Sequence, residues 1–324
     1  MVKTLVERQM GFRAKRKAQG GMRLDMWLPA EEAAKLRKLI AWRGQTGPQV
    51  FVGLINEVWS LEVGKAAARG HAEAQFEYAR MCAMGEGANC DRSKAKEWFS
   101  KSAEQGYRVC AAYNNLGVLW LEESVEEAVK WFLESAARGN GVAQYNLGVL
   151  YERGHGVKRD YRQAVEWFLR SAERERGGSY AQQHLGVLYA TGKGVTQDYD
   201  KAIEWLRRGT GKDSMDCENF LAYLLSTCHD DGIRDGHFAT TISEKLVKSS
   251  TSTDYLYTLA AAYAEAGRFE DAIKIQKRLI SELEQRPPSK HLDAALNDCQ
   301  SRLSNYTDRK PWRDNSLRWL CFNR

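Results

Sequence analysis

The chain has 324 residues, of which 28% are charged and 43% hydrophobic, and its formal net charge is +6. This length predicts two or three domains and this composition predicts soluble folded structure, while the lack of a run of roughly 20 apolar residues argues against a membrane span. The first ten residues lack the apolar core of a secretory signal, and the seven cysteines form no CxxC pair. We therefore expect a cytoplasmic protein whose cysteines are small core residues.

The first predicted segment, residues 1–20, is a basic arm. Residues 1–23 contain seven basic side chains and one acidic side chain. The basic residues closest to the next segment are Arg13, Lys15, Arg16 and Lys17. Arms of this composition are often disordered and often bind nucleic acid. Charge alone leaves two interpretations open, a DNA-binding arm and a solubilising tail.

Residues 21–63 form the second predicted segment, a strand followed by two helices. Apolar side chains alternate with other residues from Met22 to Leu28, which predicts a strand with one buried face. A glycine-containing break at residues 44–48 separates the two helices, and Thr46 is the predicted N-cap of the second. One strand cannot form a sheet alone, so we expect it to pair with the same strand of a second chain, which makes the protein a homodimer.

This segment resembles the ribbon-helix-helix family of bacterial DNA-binding proteins. The resemblance rests on the alternating strand 22–28, on the entry into the first helix at Leu28-Pro29, and on Gly44-x-Thr46 before the second helix. It covers about residues 20–62. The alternative interpretation is a small helical cap on the repeats that follow, with the segment from Met22 to Leu28 packed against them.

The ribbon-helix-helix resemblance implies DNA contacts at defined positions. The outward-facing strand residues would enter the major groove, where Arg23 could read guanine and Asp25 could accept a hydrogen bond from cytosine. Trp27 departs from the hydrogen-bonding side chain expected there, and it could contact a thymine methyl group or pack on the ribbon. Backbone N–H groups near Thr46 would bind a phosphate, and the basic arm would add further phosphate contacts.

Residues 66–211 repeat one sequence pattern four times. A tryptophan recurs in the second half of each copy, with spacings of 33, 36 and 38 residues. The four positions are Trp98, Trp131, Trp167 and Trp205. A period in this range predicts a stack of helix pairs. Small and aromatic residues lie on one face of each second helix, and the residues expected to cap these helices at their N-termini are Asp91, Ser124, Asp160 and Asp198.

Glycines occupy two kinds of position in this repeated pattern. One glycine in the first helix of a pair is predicted to let the second helix approach closely. This glycine is Gly117 in the second copy, Gly148 in the third and Gly186 in the fourth, whereas the first copy has Ala79. A Gly-x-Gly pair after the first helix, present in the third and fourth copies, is predicted to end that helix with positive φ. The second copy lacks this pair, so its connection between helices is expected to be shorter.

The repeated pattern resembles the Sel1-like repeat family, a relative of the tetratricopeptide repeat. The resemblance covers about residues 70–210 and implies a mainly α protein, a right-handed α-solenoid with a concave surface lined by the first helix of each pair. The inward-facing positions that it implies are Phe76, Arg80, Asn114, Val118, Tyr145, Val149, Gln183 and Val187. Their apolar and amide groups suit an extended peptide or a helix of a partner protein. The other interpretation is that they pack between adjacent repeats.

The remaining residues predict further helix pairs and a cap. Residues 215–286 resemble tetratricopeptide repeats, through the ordered series Leu256, Leu259, Ala260, Tyr263, Gly267, Phe269 and Ala272. Two prolines at positions 287 and 288 end the last of these helices. Residues 287–324 are then expected to form a capping helix over about 289–305 and a tail. The tail could pack back on the last helices or stay loose.

Catalytic and metal-binding patterns are missing from the sequence. The six histidines are dispersed and share no short metal-ligand spacing with cysteine, and no nucleophile–base pair can be assigned. We therefore predict a protein that is not an enzyme and that has no cofactor and no metal.

Two functional hypotheses fit these patterns. In the first, the protein is a bacterial regulator whose homodimeric ribbon-helix-helix segment binds DNA and whose repeats bind a protein or peptide. In the second, it is a scaffold or adaptor without DNA affinity, and its N-terminal segment only dimerises. Salt-sensitive DNA binding that disappears on deletion of residues 1–62 would distinguish the first hypothesis from the second.

Overall fold

The computed structural model describes residues 60–61, 63–85, 91–174, 178–210, 215–250, 252–287 and 289–314. Within these ranges the regular secondary structure is helical and contains no strand. The basic arm and almost all of the predicted ribbon-helix-helix segment lie outside the described residues, so the strand 22–28 and the dimer stay predictions. The chain divides into two compact units, residues 1–159 and residues 160–324.

From residue 72 onward, the described part of the first unit contains two helix pairs and one further helix. Its helices are α1 (Ala72–Met84), α2 (Arg92–Glu104), α3 (Val109–Trp120), α4 (Val125–Ala137) and α5 (Gly141–Arg153). Consecutive helices from α1 to α5 pack against each other. Only four residues separate α3 from α4, which confirms the short connection predicted for the second copy.

The second unit is a series of consecutive helices from residue 161 to residue 307. Its helices are α6 (Tyr161–Ala172), α7 (Gly178–Thr191), α8 (Tyr199–Gly209), α9 (Met215–Thr227), α10 (Gly236–Ser249), α11 (Thr253–Glu265), α12 (Phe269–Glu284) and α13 (Lys290–Thr307). The helices α9 to α12 lie within residues 215–286, where helix pairs were predicted, and α13 lies where a capping helix was predicted. Consecutive helices of this unit pack against each other throughout.

Phenylalanine and tryptophan have different roles in the second helices. The phenylalanines are fully buried, with at most 1% of their surface exposed, and they are Phe99, Phe132 and Phe168. The tryptophans are only half-buried. A cation three residues further along covers the ring of three of them, and the pairs are Lys101 on Trp98, Arg170 on Trp167 and Arg208 on Trp205. The phenylalanines therefore fill the core, and the tryptophans cover its edge, three of them beneath a cation–π contact.

The glycine inside the first helix of a pair allows the close contact that was predicted for it. A Cβ added at Gly186 would lie 2.6 Å from Cγ of Leu206 in the following helix. At Gly117 the added atom would lie 2.6 Å from the ring of Phe132. Real Cβ atoms do not approach other atoms this closely, so a larger residue at Gly117 or Gly186 would force the second helix of that pair to shift.

A buried serine joins the two helices of a pair by a hydrogen bond that the sequence pattern did not reveal. Ser102 Oγ donates to the carbonyl oxygen of Ala72 over 2.7 Å, and Ser135 Oγ donates to that of Cys110 over 2.6 Å. Both acceptors lie in the first turn of the preceding first helix. Both serines are fully buried, so replacing the hydroxyl would remove a buried hydrogen bond between the two helices, which contributes roughly 0.5–1.5 kcal/mol.

All four predicted N-caps are confirmed. The side-chain oxygens of Asp91, Ser124, Asp160 and Asp198 each accept a backbone N–H from the first turn of the helix that follows. For Asp198 the donor is the N–H of Lys201, at 2.9 Å. This bond fixes the start of α8, because it satisfies a donor that the helix itself cannot.

We expect the Asp198→Asn variant to lose less stability on acidification than the parent protein. The pKa of Asp198 is lowered chiefly because its carboxylate accepts the backbone N–H of Lys201, and further by the ammonium group of Lys201. The carboxylate thus stabilises the fold above its unfolded-state pKa, and this contribution is lost as the pH falls through the folded-state pKa. Asparagine caps a helix without titrating. Thermal unfolding from about pH 7 to about pH 3 should show a shrinking difference in Tm, and a constant difference would contradict the assignment.

Candidate protein-interaction surface

The first-helix face of the pairs holds the eight predicted inward positions, and the structure divides them into two groups. Five are buried, and these are Phe76, Arg80, Asn114, Val149 and Val187. Three are half-buried, and these are Val118, Tyr145 and Gln183. The buried side chains pack within the protein, so the half-buried ones are those that can touch a partner.

An arginine that was absent from the predicted set lies on this face. Arg108 precedes α3 and has a φ of 45°, one of two positive values among the described residues other than glycine. Its guanidinium carbon lies 5.4 Å from the ring centroid of Phe76 and 5.9 Å from that of Tyr107. Half of its side-chain surface is exposed (50%). A left-handed backbone costs energy for any residue with a Cβ, so the local packing must hold Arg108 there.

A carboxylate between two arginines completes this group. Glu77 Oε2 lies 2.7 Å from Nε of Arg80, and Glu77 Oε1 lies 4.0 Å from Nη1 of Arg108. Arg80 is buried, and Glu77 is half-buried. We call the set Phe76, Glu77, Arg80, Tyr107 and Arg108 the Arg108 cluster. It presents one accessible cation and one accessible carboxylate on a rigid aromatic base.

The aromatic base of the Arg108 cluster is well ordered by its own contacts. The Phe76 ring meets the ring of Phe99 edge-on with centroids 5.2 Å apart, and that of Tyr107 at 6.0 Å. Burial raises the pKa of Tyr107, and a hydrogen bond with Glu73 raises it further. The Tyr107 hydroxyl therefore stays protonated at neutral pH, and the ring stays neutral beneath the Arg108 guanidinium.

A pair of buried asparagines links two successive first helices. Nδ2 of Asn146 on α5 donates to Oδ1 of Asn114 on α3 over 3.2 Å. Both side chains are 5% exposed. Sequence reasoning selected Asn114 but missed Asn146, although Asn146 belongs to the repeated pattern. The bond fixes how α3 and α5 lie side by side, because a buried amide without a partner is destabilising.

The equivalent face of the second unit is packed within the protein at its start. Val187 joins a buried cluster with residues of α8 and α9. His184, next to the half-buried Gln183, is 4% exposed and stacks on Phe168 with centroids 4.6 Å apart. Gln183 is therefore the accessible member of the predicted set in this unit.

The predicted DNA-binding residues lie outside the described residues, and the described residues contain neither a metal site nor a membrane-spanning helix. The predicted DNA contacts belong to segments that the structure leaves undescribed, and they are Arg13, Lys15, Arg16, Lys17, Arg23, Asp25, Trp27 and Thr46. In the described part of the chain no three acidic, histidine or cysteine side chains gather as a metal site would require. No helix there has the length and apolar character that crossing a membrane demands.

Comparison with protein families identifies the repeats. Four consecutive segments match the Sel1 repeat family, and they are residues 72–107, 110–140, 141–175 and 179–210. The match confirms the four predicted copies and their order. A solved structure of c5321, a protective antigen of uropathogenic Escherichia coli described as having an SLR fold, aligns with a TM-score of 0.58 and 26% identity over 81% of this chain and 63% of that one.

Two curated relatives share shorter segments with this chain. DAP3-binding cell death enhancer 1 of Rattus norvegicus is 34% identical over 85 residues, which are 25% of this chain and 16% of the relative. Chitin synthase regulatory factor 3 of Schizosaccharomyces pombe is 29% identical over 122 residues, which are 34% of this chain and 12% of the relative. The chain thus matches less than a fifth of the length of either relative.

Proposed function

We propose that this chain, whose residues 72–210 form four Sel1 repeats, is a protein-interaction scaffold or adaptor. In this proposal the first helices α1, α3 and α5 bind an extended segment of a partner protein. The observation that carries the proposal is the Arg108 cluster, where a half-exposed guanidinium is held over two aromatic rings by a backbone conformation that costs energy. The relatives' names, a DAP3-binding protein and a regulatory factor, are compatible with a binding role.

The charge of the Arg108 cluster indicates the chemistry of the partner. Among the described residues, the carboxylate oxygen closest to the Arg108 guanidinium is Glu77 Oε1, which is 4.0 Å away and beyond hydrogen-bond range. A carboxylate of a partner could form a paired hydrogen bond with the donors of this guanidinium. The half-buried Val118 and Tyr145 on α3 and α5 offer apolar contact for the neighbouring residues of the same segment. We expect an extended segment that contains acidic and apolar residues.

DNA binding remains a separate hypothesis that rests on the residue pattern of the N-terminal segment alone. The scaffold function needs no residue of that segment. The two hypotheses make different demands, since one requires a basic surface and strong salt dependence and the other requires the first-helix face of the repeats.

We expect Arg108→Gln to weaken peptide binding about tenfold, because a hydrogen bond to a charged group contributes roughly 1.5–3 kcal/mol. The full chain would first be used to select binders from a displayed library of random peptides, which should be enriched in acidic and apolar residues. Affinities of the selected peptides would then be measured by fluorescence anisotropy. The matched control is Arg138→Gln, since Arg138 also covers an aromatic ring, that of Tyr113, but already bonds to Glu134. It should bind like the parent.

Two results would contradict this proposal. One is that the library yields no saturable binder for the parent protein. The other is that Arg108→Gln and Arg138→Gln weaken the selected peptides equally. Binding of duplex DNA by a parent protein that binds no peptide would favour the regulator hypothesis instead.

A further inference from the structure

The end of the described chain forms a short non-helical segment that lies against the second unit. We call residues 311–314 the strap. The backbone N–H of Asp314 donates to the carbonyl oxygen of Thr227 over 3.1 Å, and the Tyr223 hydroxyl donates to Oδ2 of Asp314 over 2.7 Å. Nη1 of Arg313 lies 2.6 Å from Oε2 of Glu265. The strap is therefore anchored to α9 and α11 by its backbone and by both of its charged side chains.

The fourth anchor of the strap is its tryptophan, which packs on a buried arginine. Arg302 on α13 is 1% exposed, and its guanidinium carbon lies 4.9 Å from the ring centroid of Trp312. The same guanidinium lies 4.8 Å from the ring of Tyr257 and 5.8 Å from that of Tyr223. Three aromatic rings, one of them from the strap, thus surround one cation, an arrangement that is strongly attractive when water is excluded.

Polar pairing at this site is incomplete. Nε of Arg302 bonds to Oδ2 of Asp298 over 2.8 Å, and Nη2 donates to the Tyr223 hydroxyl over 3.2 Å. Three buried polar atoms near the strap have no hydrogen-bond partner among the described residues, and they are Nη1 of Arg302, the hydroxyl of Tyr306 and Nε1 of Trp312. Each unpaired buried polar group costs free energy. The strap therefore covers the site without providing hydrogen-bond partners for these three atoms.

The helices that hold the strap are all first helices. α9 and α11 each begin a helix pair, and α13 follows α12 as the first helix of the next pair would. This is the same kind of face that carries the Arg108 cluster in the first unit. The strap lies on it as a bound peptide would, with a backbone hydrogen bond, an aromatic anchor and two charged contacts.

We propose that the first-helix face of α9, α11 and α13 is a peptide-binding site and that the strap fills it as an internal ligand. The external ligand is a non-helical segment of a partner protein, in which an aromatic residue is followed by a cation and a carboxylate. This segment binds by displacing the strap. A short connection keeps an internal ligand at an effective concentration on the order of millimolar. An external segment must therefore bind more tightly than the strap or arrive where the strap has been loosened. This site lies in the second unit and does not depend on the function proposed for the first.

The test uses the full chain and a labelled synthetic peptide with the sequence of residues 308–316. Fluorescence anisotropy would compare the parent with Trp312→Ala, whose strap lacks its anchor. We expect Trp312→Ala to bind the peptide at least tenfold more tightly than the parent. A peptide with alanine in place of its tryptophan should not bind, and Glu265→Gln combined with Trp312→Ala should weaken the gain. Lys310→Ala is the matched control, because Lys310 is exposed beside the strap, and it should behave as the parent.

A second variant keeps the test decisive if Trp312→Ala disturbs folding. Arg313→Ala with Asp314→Ala removes the charged contacts and retains the ring, and hydrogen exchange would report the state of α9, α11 and α13. Tighter peptide binding with these helices still protected supports the proposal. Two outcomes overturn it: unchanged peptide binding in both loosened variants, or loss of protection of the three helices in both, which would make the strap an integral part of the fold.

Discussion

Phe168→Ala is expected to lower the free energy of unfolding of the second unit by about 3–5 kcal/mol. The Phe168 side chain is fully buried and stacks on His184 with centroids 4.6 Å apart. Removing the ring deletes buried apolar surface and leaves a cavity that the packed helices can fill only in part. Urea unfolding followed by circular dichroism would measure the loss.

The matched control for this variant is Phe238→Ala. Phe238 lies on α10 of the same unit, and 42% of its surface is exposed. Its replacement should cost less than about 1 kcal/mol, because an exposed side chain leaves no cavity. Hydrogen exchange adds a second criterion: repeat arrays couple mainly to their neighbours, so α6 and α7 should lose protection while α12 and α13 keep theirs. Equal losses for the two variants would contradict the assigned core.

Gly194→Ala is expected to destabilise the second unit by about 2–5 kcal/mol. Gly194 has a φ of 74°, a conformation that costs roughly 1–2 kcal/mol for a residue with a Cβ. An added Cβ would also lie 2.4 Å from the carbonyl carbon of Tyr161 and 2.8 Å from the backbone nitrogen of Arg162. Both contacts are with backbone at the start of α6, which cannot move aside as a flexible side chain could, and overpacking of this kind adds roughly 1–3 kcal/mol.

Gly267→Ala separates these two contributions. Gly267 has a φ of 77°, but an added Cβ there would meet no atom within 4 Å. Only the conformational cost applies, so we expect a loss of about 1–2 kcal/mol. Denaturant titration of both variants would test the difference. If Gly267→Ala were as destabilising as Gly194→Ala, the contact between the Gly-x-Gly turn and α6 would not be the cause.

The residues that sequence reasoning placed correctly act within a single helix pair. Asp198 caps α8 because its carboxylate reaches an N–H three residues ahead. Gly186 was assigned to a close helix contact because a small residue recurs at its position in the pattern, and the contact with Leu206 is present. Such assignments need only a repeat period and the geometry of one helix pair, and both are visible in the order of residue types.

The accessible surface was harder to predict. Arg80 and Val149 were assigned to the inward-facing set, with packing between adjacent repeats as the alternative, and both are buried, because a first helix packs on its neighbours as well as on its own second helix. Arg108 was missed because no pattern marks a left-handed arginine before a helix. Its place in the cluster depends on the ring of Phe76, which lies more than 30 residues away in the chain.

Local rules were sufficient for the helix pairs and their caps, which recur four times with a regular spacing, and for the Gly-x-Gly turns, which recur in the third and fourth copies. The strap shows the opposite case. From the sequence, the tail could have packed on the last helices or stayed loose. The order of residues does not indicate a contact between Tyr223 and Asp314, which lies 91 positions later. That contact, like the three rings around Arg302, exists only once the first helices have stacked and brought distant side chains within reach. Contacts between residues far apart in the chain and without a repeat period are set by packing, and packing is a property of the folded protein.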